Sequence, residues 1–178
     1  VAERDGEGVA VSVEPAMVRA RHPLASVNGV FNAVYVYGEA VGETMFYGPG
    51  AGSLPTATSV VADLVAVVTN MRLGVSGKRL VQAYKEKRLT PEERVFGKYF
   101  LLLHVEDKAG VLAKITRVFA DRDVSLESVL QQPNPANPKA EIIIITHDAS
   151  RSDMKRVVSD LASLDVVDTI RSVYRVVG

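Results

Sequence analysis

Hydrophobic positions recur along this chain with two different spacings, and the change between them marks its organisation. Val9-Ala-Val-Ser-Val-Glu-Pro15 alternates valine with small or polar residues, the period-2 signature of a strand with one buried face. Pro15 and His22-Pro23 break the run, and the residue before a proline is pushed toward extended backbone, so His22 is expected on a loop or strand entry. Asn28-Gly29 is a turn signal. Phe31-Asn-Ala-Val-Tyr-Val-Tyr37 reads as a second strand, and residues 40–47 as a third. Residues 57–73 are then apolar on nearly every face and predict one long buried helix, closed by Gly74 at the position after the last turn.

From residue 99 the pattern is cleaner. Tyr99-Phe-Leu-Leu-Leu-His-Val105 predicts a strand, Glu106 to Gly110 a turn, and Val111, Leu112, Ile115, Val118 and Phe119 one face of a helix over 111–122. Residues 124–131 predict a second strand. Three prolines in residues 133–138 predict an irregular loop. Residues 140–147 carry four consecutive isoleucines, the mark of a central strand. Ser150-Arg-Ser-Asp153 is a loose capping box opening a helix that buries Met154, Val157, Val158, Leu161 and Leu164, and residues 166–177 close as a strand. This βαββαβ order predicts a ferredoxin-like antiparallel sheet with two helices on one face. Its other face or an edge then needs covering, and a second copy is the simplest cover, so a homo-oligomer is expected.

Between the two blocks, residues 75–97 hold Lys78, Arg79, Lys85, Glu86, Lys87, Arg88, Glu92, Glu93 and Arg94. That composition predicts a solvated linker, with a short helix over 78–88 from the spacing of Leu80, Val81 and Tyr84. Over all 178 residues Lys+Arg and Asp+Glu both number 21, so no net field recruits nucleic acid or an anionic membrane. There is no cysteine, which excludes disulfides, thiolate metal sites and a cysteine nucleophile and suits the cytoplasm. His22, His104 and His147 lack metal-ligand spacing. The longest apolar run, residues 59–69, is interrupted by Asp63 and is too short to span a bilayer. Asp63, expected inside a buried helix, would need a hydrogen-bond partner there. With no initiator Met at Val1, a fragment or processed chain is expected.

One stretch carries candidate chemistry. Tyr47-Gly-Pro-Gly-Ala-Gly-Ser-Leu-Pro-Thr56 sets three glycines before a helix start, with Ser53 a plausible N-cap and Pro55 in the first turn. Free N–H groups and the positive end of the helix dipole would face the glycine loop, which suits an anionic or polarised ligand. A tight turn without a ligand fits the same residues.

Two resemblances cover nearly the whole chain. Val105-Glu-Asp-Lys-Ala-Gly-Val-Leu112, with the βαββαβ pattern around it, resembles the ACT domain, a small-molecule regulatory module. Val13-Glu-Pro, His22-Pro-Leu-Ala, Val30-Phe-Asn-Ala-Val34 and the glycine stretch through Asp63 resemble the C-terminal part of homoserine dehydrogenase. The order matches the long, ACT-bearing bacterial form of that family. The resemblance implies an α+β chain with three parts: residues 1–74 as the end of a catalytic and dimerisation domain, 75–98 as linker, and 99–178 as the ACT domain.

It also implies an oxidoreductase that interconverts L-aspartate 4-semialdehyde and L-homoserine with NAD(P), on the route to threonine, methionine and isoleucine. The nucleotide fold and the catalytic lysine and acidic residues of the family would lie upstream of this chain. The fragment alone is then expected to be inactive and to hold no cofactor tightly. By the same resemblance Gly50, Gly52 and Thr56 would line the nicotinamide end of the cofactor, with His22 at the mouth of the site. Asp107, Lys108, Ala109, Gly110, Val111 and Leu112 would form an effector site, with L-threonine the expected effector, and Ser125 stands where many ACT domains carry asparagine. A freestanding amino-acid-sensing or dimerisation protein without catalysis is the alternative.

Overall fold

Tyr99, Leu101, Leu103 and Val105 are buried, and Phe100, Leu102 and His104 between them are half-buried. The strand expected there is present, and its burial alternates although its sequence is a nearly continuous apolar run. The computed structural model describes residues 1–6, 8–75, 86, 88–133 and 139–178. In chain order the strands and helices are β1 (Ala2–Asp5), β2 (Gly8–Val11), β3 (Ala16–Val18), β4 (Phe31–Gly38), β5 (Gly42–Pro49) and α1 (Ser53–Arg72). They continue with β6 (Phe96–Glu106), α2 (Val111–Asp121), β7 (Leu126–Pro133), β8 (Lys139–Thr146), β9 (Ala149–Ser150), α3 (Arg151–Ala162) and β10 (Val167–Val177). The helix expected over 78–88 falls outside the described residues except at 86 and 88, as do residues 134–138 of the proline loop, whereas Pro133, expected in that loop, ends β7 opposite Ala140. The chain divides into two compact units, residues 1–19 with 87–178, and residues 20–86.

In the first unit the strands stand in the order β3-β10-β6-β8-β7. Strand β8, with its isoleucines, is flanked by β6 and β7. Ile142 and Ile144 are fully buried toward the helices, and Ile143 and Ile145 are half-buried on the opposite face. Val111, Ile115 and Phe119 of α2 and Met154, Val157 and Leu161 of α3 complete that core. Leu112 departs from the expected apolar face, being 37% exposed. The Ser150 hydroxyl caps α3 by accepting from the Asp153 N–H at 3.1 Å, and it also donates to the Asp153 carboxylate at 2.5 Å. Aspartate is too short to reach back to the backbone as glutamate does in a full capping box, and it meets the cap hydroxyl instead.

One strand was not legible as part of this sheet. β3 lies parallel to β10, with Ala16, Met17 and Val18 opposite Arg175, Val176 and Val177. The sheet is therefore mixed rather than wholly antiparallel, and residues 1–19 group with the C-terminal half instead of with residues 20–74. Three further links explain this. Val9 N–H donates to the Arg88 carbonyl and Thr90 N–H to the Val9 carbonyl. Arg94 pairs with Asp5 at 2.8 Å. Arg175, only 7% exposed, donates to both Glu3 carboxylate oxygens at 3.0 Å and to the Phe96 carbonyl at 3.2 Å.

Surface carboxylates of this unit give it an acid limit. Hydrogen bonds from Lys114 and from Lys139 hold the Asp165 and Asp168 carboxyls below the usual aspartate range. A depressed folded-state pKa contributes stability above the unfolded value of about 4 and loses it as pH falls through the folded value. The thermal midpoint is expected to decline as pH is lowered from about 5 through 4 and below. Lys114→Gln should flatten part of that decline. An unchanged slope in a melting series would contradict it.

In the second unit β4 and β5 form a hairpin in register from Phe31 opposite Pro49 to Gly38 opposite Gly42, and Phe31 stacks on Tyr47 with ring centroids 4.9 Å apart. The chain then enters α1. That helix ends as expected at Gly74, whose N–H donates to the Met71 carbonyl while Val75 N–H donates to that of Asn70, the paired bonds of a Schellman ending.

Two readings of α1 need correction. No residue of α1 is buried, and Asp63 is exposed, because among the described residues nothing packs a layer over it. Its 20 residues are also longer than the apolar run, and a mean hydropathy of 1.4 meets the length and composition expected of a membrane span. A helix apolar on all sides belongs either in lipid or in the core of a larger protein. A carboxylate near its middle costs about 2.5–3.5 kcal/mol in a bilayer, which favours protein cover.

Candidate functional site

The glycine stretch ends β5, at the open end of the β4–β5 hairpin, and starts α1. Gly52, not Ser53, is the N-cap, with φ 137° and ψ 152°, a conformation that favours glycine. Ser53 becomes the first helical residue and Pro55 the third. The first helical bond runs from the Thr56 N–H to the Gly52 carbonyl at 3.1 Å. The N–H groups of Ser53 and Leu54 precede any intrahelical acceptor, so they present donors and the positive dipole end outward.

Gly50 is small for an internal reason. A Cβ there would lie 1.5 Å from Asn32 Nδ2, so glycine makes room for the Asn32 side chain of the adjoining strand. The cradle that fits a polar or anionic group thus reduces to Gly52, the two free N–H groups and exposed Thr56.

His22 caps the turn at Pro23–Ser26, its Nδ1 accepting from the Leu24 N–H at 3.2 Å. Its ring tilts against Tyr35 at 4.7 Å. With Nδ1 engaged as an acceptor, Nε2 is the nitrogen that carries the proton. Tyr35 and Asn32 are three residues apart on β4, and side chains at odd spacing point to opposite faces of a strand. His22 and the Gly50 contact with Asn32 therefore lie on opposite faces of the hairpin, about 10 Å apart along β4. Within this unit the structure does not bring His22 to the glycine stretch.

The expected effector residues Asp107, Lys108, Ala109 and Gly110 form an exposed turn between β6 and α2. Gly110, at φ 89°, is the N-cap of α2 and has no side-chain cap. Lys108 pairs with Glu106 at 3.0 Å. Val111 is buried beneath the turn and Leu112 faces out. Ser125 is elsewhere. It precedes β7, whose Ser128 aligns with Ile145 and, through it, with Phe100 near the start of β6. The turn follows the end of β6 at Glu106, about 20 Å away along the strand.

Sequence reasoning missed Arg175 and Arg151. Arg175 stands in an apolar strand with no local partner in sequence, since Glu3 is 172 positions away. Arg151 reaches Glu14 at 3.1 Å across a separation of 137.

Residues 1–65 match the family model described as homoserine dehydrogenase, and residues 99–166 match that of the ACT domain. Over its full length the chain is 51% identical to the homoserine dehydrogenase of Bacillus subtilis (strain 168), of which it covers 41%. Residues 1–65 correspond to the C-terminal part of a homoserine dehydrogenase domain, and residues 99–166 to an ACT domain. The enzyme of Mycobacterium tuberculosis H37Rv is 39% identical over 99% of this chain. The crystal structure of a homoserine dehydrogenase from Thiobacillus denitrificans superposes on 99% of the chain with a TM-score of 0.82 and 33% identity, covering 41% of that protein. The Staphylococcus aureus homoserine dehydrogenase gives 26% identity and a TM-score of 0.57 over 99% of the chain and 40% of its own. The chain thus spans about two fifths of the relatives it matches. The dehydrogenase match, residues 1–65, straddles both compact units, so β3 of the ACT-bearing sheet comes from dehydrogenase sequence.

Proposed function

We propose that this chain is the C-terminal part of a homoserine dehydrogenase, the NAD(P)-dependent oxidoreductase interconverting L-aspartate 4-semialdehyde and L-homoserine, with an ACT domain that senses an amino acid. The observation that carries this reading is the pair of matches in order along one chain, 51% identical end to end to a homoserine dehydrogenase. Helix α1 supports it, since a 20-residue apolar helix with no buried residue asks for a protein layer of the kind a longer chain supplies.

When bound, the nicotinamide supplies the hydride that exchanges between aldehyde and alcohol carbons. In this chain Gly52 keeps a Cβ out of the approach to that group. The outward N–H groups of Ser53 and Leu54 would hold a polar edge of the cofactor, with the Thr56 hydroxyl in the same first turn. His22 rests against Tyr35 and caps the Pro23–Ser26 turn, away from the Gly50–Asn32 contact, so it is given no part in holding the nucleotide. Proton transfer belongs to residues outside this chain. The full-length protein should reduce NAD(P) with L-homoserine, and the 178-residue chain should not.

For the ACT domain we infer a homodimer through β7. Among the described residues β7 pairs only with β8, and it exposes Val129 and Leu130 by 38% and 47%. The other edge of the sheet is covered at residues 175–177 by β3. Antiparallel pairing of two β7 edges carries Ser125 of the partner subunit toward the end of β7 where the Asp107–Leu112 turn begins, joining residues that one protomer keeps apart. L-threonine, the end product, fits there, its carboxylate at the N-terminus of α2. Sedimentation equilibrium should give a dimer or a tetramer built from it, and Leu130→Glu should give a monomer. A monomeric wild type, with or without L-threonine, would overturn this.

A further inference from the structure

A cleft of about 350 Å³ opens beside α3, and nothing in the reading above uses it. Its floor and wall are Met154, Val158 and Val173 with Tyr99. Met154 is fully buried, Tyr99 is 7% exposed and Val173 37%. Burial pushes the Tyr99 phenol up, and the neighbouring Arg151 guanidinium works against that shift.

The rim is charged in a specific way. Arg151 and Lys155 are one turn apart on α3, and side chains at that spacing are neighbours on a helix surface. Opposite them stand Glu14, 3.1 Å from Arg151, and Glu92, 2.6 Å from Lys155. The two acids come from other segments, one before β3 and one in the short turn Glu92–Arg94. Each cation is therefore paired with an acid from another segment at the rim of an apolar floor.

That arrangement discriminates between ligand classes. A simple anion attracted by Arg151 and Lys155 meets Glu14 and Glu92, and a simple cation meets the reverse. A zwitterion satisfies both sides. An aliphatic arm on it would lie over Met154, Val158 and Val173. The volume is at the low end of small-molecule pockets, about 300–1,000 Å³, which admits an amino acid and excludes a nucleotide. Exposed ion pairs contribute only about 0–1 kcal/mol each, so opening them to a ligand is cheap. Another cleft of this unit, about 270 Å³ beside Arg175, offers less. Its buried cation is already engaged by Glu3 and the Phe96 carbonyl.

We propose that this cleft binds a free α-amino acid with a branched aliphatic side chain, its carboxylate between Arg151 and Lys155 and its ammonium between Glu14 and Glu92. Occupancy exchanges two cross-segment ion pairs for ligand contacts. It thereby loosens from α3 the segment holding Glu14, which lies in the dehydrogenase-matching sequence. The site is distinct from the Asp107–Leu112 turn, and it needs nothing from the dehydrogenase reaction.

The test is a methyl-detected NMR titration of the 178-residue chain with L-valine. Saturable shifts are expected at Met154, Val158 and Val173, with a dissociation constant in about the millimolar range. Isovalerate, which lacks the ammonium, and L-valinamide, which lacks the carboxylate, should each bind about tenfold more weakly or worse. Arg151→Gln should weaken L-valine by a similar factor. Lys155→Glu, at a side chain 64% exposed, should do so without touching the fold, as unchanged Ile115 and Val157 resonances would verify. Shifts confined to Val111 and Leu112 would place any binding at the turn and overturn the proposal. Absence of shifts up to about 20 mM L-valine, or a Lys155→Glu protein that binds as well as wild type, would overturn it too. Failure here leaves the dehydrogenase assay untouched, since that assay is read on the full-length protein.

Discussion

Phe119→Ala is expected to lower the unfolding free energy of the ACT-bearing unit by about 3–5 kcal/mol. Phe119 is 1% exposed, near the end of α2, and its carbonyl accepts from the Arg122 and Val124 N–H groups that turn the chain back toward β7. Removing the ring deletes its transfer free energy and leaves a cavity against Leu101, Ile142 and the other core residues, which close packing cannot fill without shifting. Domains of this kind have total stabilities of about 5–15 kcal/mol, so the loss is a large share. At about 4–8 °C per kcal/mol for a small domain, the thermal midpoint should fall by more than 10 °C. The matched control is Leu112→Ala on the same helix. Its side chain is 37% exposed, and the cost should stay below about 1.5 kcal/mol. Equal losses for the two variants in urea titration would show that α2 does not pack by the face described.

Gly52→Val in the full-length enzyme is expected to lower kcat/KM for L-homoserine by about a hundredfold. The native φ of 137° at Gly52 is one that a β-branched residue does not adopt without strain. A Cβ there would sit 3.3 Å from Pro55 Cδ, tighter than ordinary contact, and the proline ring cannot rotate away. The helix start would move, and the Ser53 and Leu54 N–H groups with it. Displacement of groups that position a reacting cofactor by about 1 Å is enough for a loss of that size. Thr56→Val, which removes a hydroxyl and leaves the backbone intact, should have a smaller effect, mainly on KM for the nucleotide. A Gly52→Val enzyme with wild-type kinetics and stability would remove this loop from the site.

The ACT-bearing half was legible from the length and spacing of its apolar runs. Tyr99 to Val105 and the four isoleucines are apolar runs of strand length bounded by turn signals, and α2 and α3 carry their apolar residues at helical spacing. The exception, Leu112, follows the first helical residue, where the turn lifts away from the sheet. What the sequence could not reveal is pairing at long range. β3 is three residues long, follows a proline and joins β10 from nearly the opposite end of the chain, so no local pattern announces it. The same holds for Arg175 with Glu3 and Arg151 with Glu14.

In the glycine stretch, reading Ser53 as the cap followed residue preference. The backbone instead placed the cap at Gly52, where a positive φ turns the strand into the helix. Gly50 looked like a ligand-facing glycine and proved to be spaced for Asn32. The burial expected of α1 follows from its composition, and burial is a property of the layers around a helix. Among the described residues those layers are not supplied.

The central claim, that this sequence is the C-terminal part of a homoserine dehydrogenase, is tested most directly by a steady-state assay of the full-length protein. L-homoserine should drive reduction of NAD or NADP, and L-aspartate 4-semialdehyde should drive the reverse oxidation. The isolated 178-residue chain should do neither. A folded full-length protein that turns over neither substrate with either nucleotide would contradict the claim and leave the chain an amino-acid-binding module without this chemistry.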